Sequence, residues 1–219
     1  MEEARLKTKC ILLDLDGTIL DSRGAYLEAA KTAFETMGRK NVSTKMAMEL
    51  PKRLEQDLPI DNLLAGLNRE KFLHAYLKRF YKITAENTEP FPNVEETLRR
   101  LSAKAELALT TRRSVPAEDV FHVLEKFDLA KYFQKVITSL DTQNPKPDPE
   151  ALMKCLQHLG AEAADCIVVG DSVVDIRAGK NAGIRTVAVL SGIFGRKELE
   201  REKPDLILEN ISELPQFLE

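Results

Sequence analysis

Short apolar runs recur along the chain and predict the strands of a sheet. Their residues are apolar almost without interruption, which is typical of parallel strands that are covered on both faces. The four clear runs are Cys10–Leu15, Glu106–Thr110, Cys166–Val169 and Thr186–Leu190, and the two weaker ones are Lys135–Thr138 and Leu206–Leu208. Segments with helical periodicity lie among them, at Asn93–Ala103, Pro116–Phe127, Pro149–Leu159 and Ser172–Ala182. This alternation predicts an α/β fold, a parallel sheet with helices on both faces.

The long segment between the first two clear strands departs from the alternation, because it contains no convincing strand. Its apolar side chains instead follow helical spacing, first in Arg23–Met37 and again in Arg69–Lys82. We therefore predict an all-helical domain inserted after the first strand. On this division residues 22–89 form the inserted domain, and residues 1–21 and 90–219 form the core.

Composition excludes several classes of protein. The 219 residues include 32 Lys+Arg and 35 Asp+Glu, a formal net charge of −3, whereas a dedicated nucleic-acid binder usually shows a clear basic excess. No apolar run approaches the roughly 18–20 residues that span a bilayer, and the first one is too short for the core of a signal peptide. We expect a cytoplasmic protein with no nucleic-acid or membrane partner, either a monomer or a homodimer.

The three cysteines, Cys10, Cys155 and Cys166, show no metal-binding spacing. Because Cys10 and Cys166 border apolar runs, we expect buried reduced thiols and neither a disulfide framework nor a structural metal.

Charge is distributed unevenly along the chain. Residues 39–82 contain ten Lys/Arg and five Asp/Glu, so the remainder is acidic. This basic segment is either an ordinary solvated helical face or a lid that attracts an anionic ligand.

Carboxylates follow two of the predicted strands. The first strand ends in Asp14-Leu15-Asp16-Gly17-Thr18, and the strand Cys166–Val169 runs into Gly170-Asp171-Ser172, with Asp175 one helical turn further on. Ligands of an open parallel sheet bind beyond the carboxyl ends of the strands, so these side chains are expected to converge. Converging carboxylates repel unless a cation shares them, and Mg²⁺ prefers such oxygen ligands. The alternative for the first motif is an ordinary turn, since Asp and Gly are common there.

Two further elements provide what phosphate chemistry needs. The strand Glu106–Thr110 leads into Thr111-Arg112-Arg113, which places a hydroxyl and cations at a strand end. Lys146 lies in the proline-rich loop Asn144-Pro145-Lys146-Pro147, where an ammonium is held in a fixed place and can neutralise a phosphoryl oxygen. A lysine between prolines is otherwise an ordinary surface residue.

Together these motifs, in this order, resemble the four motifs of the haloacid dehalogenase-like hydrolase superfamily. The inserted helices resemble its type-one helical cap domain, and the run from Gly170 to Gly183 is similar to the phosphoglycolate phosphatase and β-phosphoglucomutase branch. The resemblance implies a Rossmann-like core.

The resemblance also implies a role for individual residues. Asp14 would be the nucleophile that forms an aspartyl-phosphate. Asp16 would protonate the leaving oxygen and then deprotonate the hydrolytic water. Thr111 and Lys146 would hold the phosphoryl group.

For the metal, the resemblance implies Mg²⁺ bound by Asp14, the backbone carbonyl of Asp16 and Asp171, with Asp175 in or just outside the coordination sphere. Arg112 departs from the branch, which commonly has a small polar residue at that position. Its guanidinium would either contact the substrate, as a phosphate-binding group reading a second anionic group, or point to solvent.

The function implied is a Mg²⁺-dependent phosphatase that hydrolyses a small phosphorylated metabolite through an aspartyl-phosphate. A β-phosphoglucomutase-like phosphosugar mutase is the alternative with the same chemistry. A dehalogenase is disfavoured, since that reaction has no use for Asp16. A non-enzymatic phospho-accepting signalling domain is the alternative of another class, although such modules are smaller and have no use for the helical insert.

Overall fold

The computed structural model describes residues 6–219, so residues 1–5 of the predicted core lie outside the described part of the chain. The described chain divides into two compact units. Residues 6–20 and 90–219 form the first unit, and Asp21–Glu89 form the second. The role of the second unit as a cap domain stays a prediction.

The first unit is built on a six-stranded sheet in the order β3-β2-β1-β4-β5-β6, in which every neighbouring pair is parallel. The strands are β1 Cys10–Asp14, β2 Glu106–Thr110, β3 Phe133–Ile137, β4 Cys166–Gly170, β5 Arg185–Val189 and β6 Leu206–Leu208. They coincide with the six apolar runs within about two residues at either end, the usual uncertainty of element boundaries.

Helices cover both faces of the sheet, as predicted. The helices of this unit are α5 Val94–Ser102, α6 Ala117–Glu125, α7 Glu150–Leu159, α8 Val173–Asn181 and α9 Arg196–Arg201. Short 3₁₀ helices occupy Ala130–Tyr132, Ser139–Asp141, Ala163–Asp165 and Ile211–Gln216. Because side chains alternate along a strand, Ile11 and Leu13 pack into one buried cluster with α5 and α6, while Leu12 packs into another with α7. Burial on both faces explains why β1 is apolar throughout.

The second unit contains four helices: α1 Arg23–Thr36, α2 Thr44–Glu55, α3 Asp61–Leu64 and α4 Arg69–Glu86. Aromatic side chains from α1 and α4 form the centre of its core, where the rings of Phe34 and Phe72 lie 4.7 Å apart. Side-chain oxygens of Ser43 and Asn68 cap α2 and α4 by accepting from backbone N–H groups, which explains where these helices begin. None of the described helices combines the length and the apolar composition needed to cross a bilayer.

The expectation of three reduced cysteines is wrong for two of them. Cys10 and Cys166 form a disulfide, whereas Cys155 is a free buried thiol. The physical reason is register: β1 and β4 are neighbours, and Cys10 lies directly opposite Cys166 with a Cα–Cα distance of 4.8 Å. That distance lies in the range a disulfide bridges. Burial raises the pKa of Cys155 to about 12.

Candidate active site

Three strands of the first unit bring their carboxyl ends to one edge of the sheet. Asp14, the last residue of β1, is paired with Thr110 at the end of β2, and β4 on the other side ends at Gly170. The residues that follow, Thr111 and Asp171, therefore lie on either side of Asp14. This juxtaposition follows directly from the parallel arrangement, in which all carboxyl ends meet at one edge.

Lys146 contributes a buried ammonium at the centre of this edge. Its Nζ donates to Asp14 Oδ1 (2.8 Å), to Asp175 Oδ1 (2.8 Å) and to the carbonyl oxygen of Thr110 (3.0 Å). Burial would lower the pKa of Lys146, but the charges and hydrogen bonds of the two aspartates outweigh burial and raise it. The side chain is therefore a fixed positive charge that two carboxylates share.

The Asp14 carboxyl, by contrast, is only partly compensated, because it shares the Lys146 ammonium with Asp175. Burial raises its pKa well above the usual range; the Lys146 ammonium opposes this effect, and the charges of Asp175 and Asp16 add to it. A further cation beside Asp14 would stabilise its ionised form.

A candidate metal site lies beside this carboxyl. Asp14, Asp171 and Asp175 each present one carboxylate oxygen, and the three oxygens lie within 4.8 Å of one another. Hard oxygen donors and an excess of negative charge fit a divalent cation such as Mg²⁺. Within this group Asp175 Oδ1 accepts from Lys146, and Asp175 Oδ2 accepts from the Ser172 hydroxyl at 2.6 Å. Both carboxylate oxygens of Asp175 therefore already accept a hydrogen bond, and its place in or just outside the coordination sphere stays a prediction.

The start of α8 holds Asp175 in place. Ser172 is the N-cap of this helix: its Oγ accepts from the backbone N of Asp175, and the Asp175 carboxylate accepts from the backbone N of Ser172. This reciprocal capping box orients the carboxylate within the first turn. A Cβ at Gly170 would lie 2.3 Å from Asp175 Cγ, so only glycine permits this approach.

Asp171 packs against the backbone of two loops. A Cβ added at Gly192 would lie 1.6 Å from Asp171 Oδ2, and one added at Gly17, where φ is +87°, would lie 2.6 Å from the same atom. The loops are joined by the Ser191 hydroxyl, which donates to the Gly17 carbonyl at 2.6 Å. Ser191 and Gly192 follow β5, and sequence reasoning missed them, although their place after a strand was a usable signal.

Asp16 does not join the carboxylate cluster. Its side chain forms a bidentate ion pair with Arg113, with Nε donating to Oδ2 at 2.7 Å and Nη2 donating to Oδ1 at 2.6 Å. Sequence reasoning placed Arg113 at the strand end but gave it no role. Its position two residues after Thr111 was a usable signal, because alternate residues of an extended chain share a side.

Thr111 and Arg112 complete this edge. Thr111 is buried, and its Oγ1 accepts from the backbone N of Arg113 at 3.2 Å. The Arg112 guanidinium donates to the carbonyl oxygen of Lys146, so it contacts the loop that carries the ammonium. Phosphate binding by Thr111, Arg112 and Lys146 stays a prediction.

Comparison with known proteins finds relatives that match most of the chain. A model of the family described as haloacid dehalogenase-like hydrolase matches residues 11–189. The phosphoglycolate phosphatase of Escherichia coli (strain K12) is 30% identical over 228 residues, covering 93% of this chain and 90% of that protein.

Solved structures share the fold. A haloacid dehalogenase-like family hydrolase from Streptococcus pneumoniae has a TM-score of 0.80 at 20% identity, covering 96% of this chain and 98% of that one. A structure from Thermotoga maritima, named as a beta-phosphoglucomutase, has a TM-score of 0.73 at 25% identity. The match covers 95% of this chain and 97% of that one.

These matches confirm the predicted Rossmann-like fold, the predicted branch of the superfamily and the predicted enzyme class, a phosphatase. They do not favour the alternative of a non-enzymatic signalling domain. The chain therefore belongs to the haloacid dehalogenase-like hydrolases.

Proposed function

We propose that this protein is a Mg²⁺-dependent phosphatase that hydrolyses a small phosphorylated metabolite through an aspartyl-phosphate on Asp14. The observation that carries the proposal is the buried contact of Asp14 with Lys146 at 2.8 Å, beside a carboxylate cluster at the carboxyl edge of the sheet. A nucleophilic carboxylate, a fixed cation and a set of metal ligands are the parts that phosphoryl transfer through an aspartate requires.

For the metal, Asp14 and Asp171 would hold Mg²⁺ with Asp175 next to it, and the backbone carbonyl of Asp16 would supply a further oxygen. When bound, the cation neutralises the charge of the phosphoryl group and of the carboxylates around it.

The reaction has two halves. A carboxylate oxygen of Asp14 attacks phosphorus, and the departing oxygen of the metabolite takes a proton from Asp16. A water molecule then attacks the same phosphorus while Asp16 takes up its proton, and the bond to Asp14 breaks to give inorganic phosphate. Lys146 and Thr111 bind the phosphoryl oxygens throughout, with Arg112 as a further candidate, and stabilise their charge.

The proposed substrate is supported by the name of a relative, and the proposed role of the inserted unit by its place in the chain. Phosphoglycolate is the first candidate, because the Escherichia coli relative is named for it. The inserted unit Asp21–Glu89 would act as a cap domain, on the strength of its place directly after the first strand. A cytoplasmic location and a monomeric or homodimeric state belong to the same proposal.

The test is hydrolysis by the purified full chain. With Mg²⁺ we expect release of phosphate from phosphoglycolate and from p-nitrophenyl phosphate, and Asp14→Asn is expected to lower kcat by about 10⁴-fold or more because the nucleophile is lost. Asp128→Asn is the matched control: Asp128 is exposed and has a φ of +58°, which asparagine adopts readily. Undiminished activity of Asp14→Asn would contradict the role of Asp14 as nucleophile. Undiminished activity of the wild type in a chelator would contradict the requirement for Mg²⁺.

A phosphosugar mutase is the second candidate, favoured by the similarity to the Thermotoga maritima structure. Incubation with a sugar monophosphate separates the two, because a mutase yields the isomeric phosphate whereas a phosphatase yields free sugar and inorganic phosphate.

A further inference from the structure

The ion pair between Arg113 and Asp16 joins two distant parts of the chain inside the core unit. The side chains are 5% and 8% exposed and are separated by 97 residues in sequence. A guanidinium that donates to both oxygens of a carboxylate fixes the rotation of that carboxylate as well as its position.

Arg113 is itself held from two directions. Its backbone N donates to Thr111 Oγ1 at 3.2 Å, and its carbonyl oxygen accepts from the backbone N and the hydroxyl of Ser139 at 3.1 and 3.2 Å. Thr111 follows β2 and Ser139 follows β3, so the backbone of Arg113 is held beside the ends of both strands.

We propose that Arg113 is a positioning residue that holds the Asp16 carboxylate for the hydrolysis of the aspartyl-phosphate. The inference rests on the proposed function. A carboxylate has about four acceptor sites, so pairing with a guanidinium is compatible with accepting a proton from water.

The step that depends on this orientation is the second half of the reaction. The oxygen of water bonds to phosphorus, the Asp14 oxygen–phosphorus bond breaks, and its electron pair returns to the Asp14 carboxylate. One proton of the water moves to the Asp16 carboxylate, and inorganic phosphate leaves.

The experiment uses p-nitrophenyl phosphate, whose leaving group departs without needing a proton, so that kcat/KM reports formation of the aspartyl-phosphate. Arg113→Gln is expected to lower kcat by about 100-fold, the lower range for a positioned acid–base group. It is expected to leave kcat/KM within about 3-fold of the wild-type value, because the substitution removes no group that takes part in forming the aspartyl-phosphate from this substrate. Stopped-flow traces should show a burst of p-nitrophenol equal to the enzyme concentration.

A double-mutant cycle shows whether Arg113 acts through Asp16. Asp16→Asn should show the same low kcat and burst, and Asp16→Asn/Arg113→Gln should be no slower than Asp16→Asn. Arg113→Lys keeps the positive charge but lacks the planar guanidinium that donates to both carboxylate oxygens, so it should give an intermediate kcat. Arg177→Gln is the matched control, since Arg177 forms a bidentate pair with Glu202 that touches none of the proposed catalytic residues, and its kcat should equal that of the wild type.

Equal losses of kcat and kcat/KM without a burst would overturn the inference, as would wild-type kcat in Arg113→Gln. If Arg113→Gln does not fold, the double variant decides, because it leaves no buried carboxylate unpaired: a kcat below that of Asp16→Asn would overturn the inference. Wild-type kcat in Asp16→Asn would instead contradict the role of Asp16 in the proposed function.

Discussion

Asp14 and Asp16 lie two residues apart, yet the structure gives their carboxylates opposite kinds of partner. Asp14 shares the single ammonium of Lys146 with Asp175, and Asp171 is close by. Asp16 has the guanidinium of Arg113 across both of its oxygens.

The difference separates a region that is short of positive charge from one that is balanced. Burial with too little positive charge raises the pKa of Asp14, and such a carboxylate favours the arrival of a cation or of an electrophile. The bidentate pair of Asp16 with Arg113 instead fixes the orientation of the Asp16 carboxylate. Two aspartates of one motif therefore differ because of the groups that surround them, since their side chains are chemically identical.

Removal of the shared ammonium should give the largest effect. Lys146→Met leaves two buried carboxylates without their common cation, so we expect kcat/KM to fall by about 10²–10³-fold. In the metal-free protein, the free energy of unfolding should fall by about 3 kcal/mol, as when one partner of a buried pair is lost. Steady-state kinetics and denaturant unfolding measure the two effects.

Lys154→Met is the control for this variant. Lys154 pairs with Glu150 at 2.7 Å, but its side chain is 41% exposed. The free energy of unfolding should therefore fall by less than about 1 kcal/mol. Equal effects of the two substitutions would remove the distinction between the Lys146 cluster and an ordinary surface pair.

A smaller change should weaken only the metal-binding part of the Asp14 region. Gly192→Ala places a methyl group 1.6 Å from the present position of Asp171 Oδ2, so the carboxylate must move. We expect the Mg²⁺ concentration for half-maximal activity to rise by about 10–100-fold, as when the support of a metal ligand is removed.

Gly24→Ala is the control, because a Cβ at Gly24 meets nothing within 4 Å. It is the second residue of α1, and Gly24→Ala is expected to leave the Mg²⁺ requirement unchanged. An unchanged Mg²⁺ requirement in Gly192→Ala would show that Asp171 is not a ligand or that its position is not critical.

The smallest expected effect is a pH dependence of stability in the metal-free protein. Because the pKa of Asp14 is raised in the folded state, folding takes up a proton between the ordinary value of 3.8 and the raised value. The free energy of unfolding contributed by Asp14 is therefore greatest below the ordinary pKa and falls as the pH rises through the raised one.

Denaturant unfolding of wild type and Asp14→Asn in a chelator measures this contribution. Stability of the wild type should decline relative to Asp14→Asn as the pH rises from about 4, and saturating Mg²⁺ should abolish the decline. A constant difference between the two proteins would contradict the raised pKa of Asp14.

Much of the candidate site follows from the sequence, because the carboxyl ends of parallel strands meet at one edge. That rule alone places Asp14, Thr111 and Asp171 together, and helical periodicity adds Asp175. The same rule does not show what each side chain contacts, so the sequence prediction singled out Arg112 and assigned no role to Arg113. The expectation of reduced cysteines failed for the same reason, since opposition of Cys10 and Cys166 depends on strand order and register.

The class of fold, the order of the motifs and the sheet edge that carries the candidate site follow from the sequence. These depend on local hydrophobic patterns and on a general property of parallel strands. The pairing of each carboxylate with its cation is visible only in the folded chain, because Lys146 and Asp14 are 132 residues apart and Arg113 and Asp16 are 97 apart. Contacts over such separations are set by packing, register and loop geometry, which no local pattern encodes.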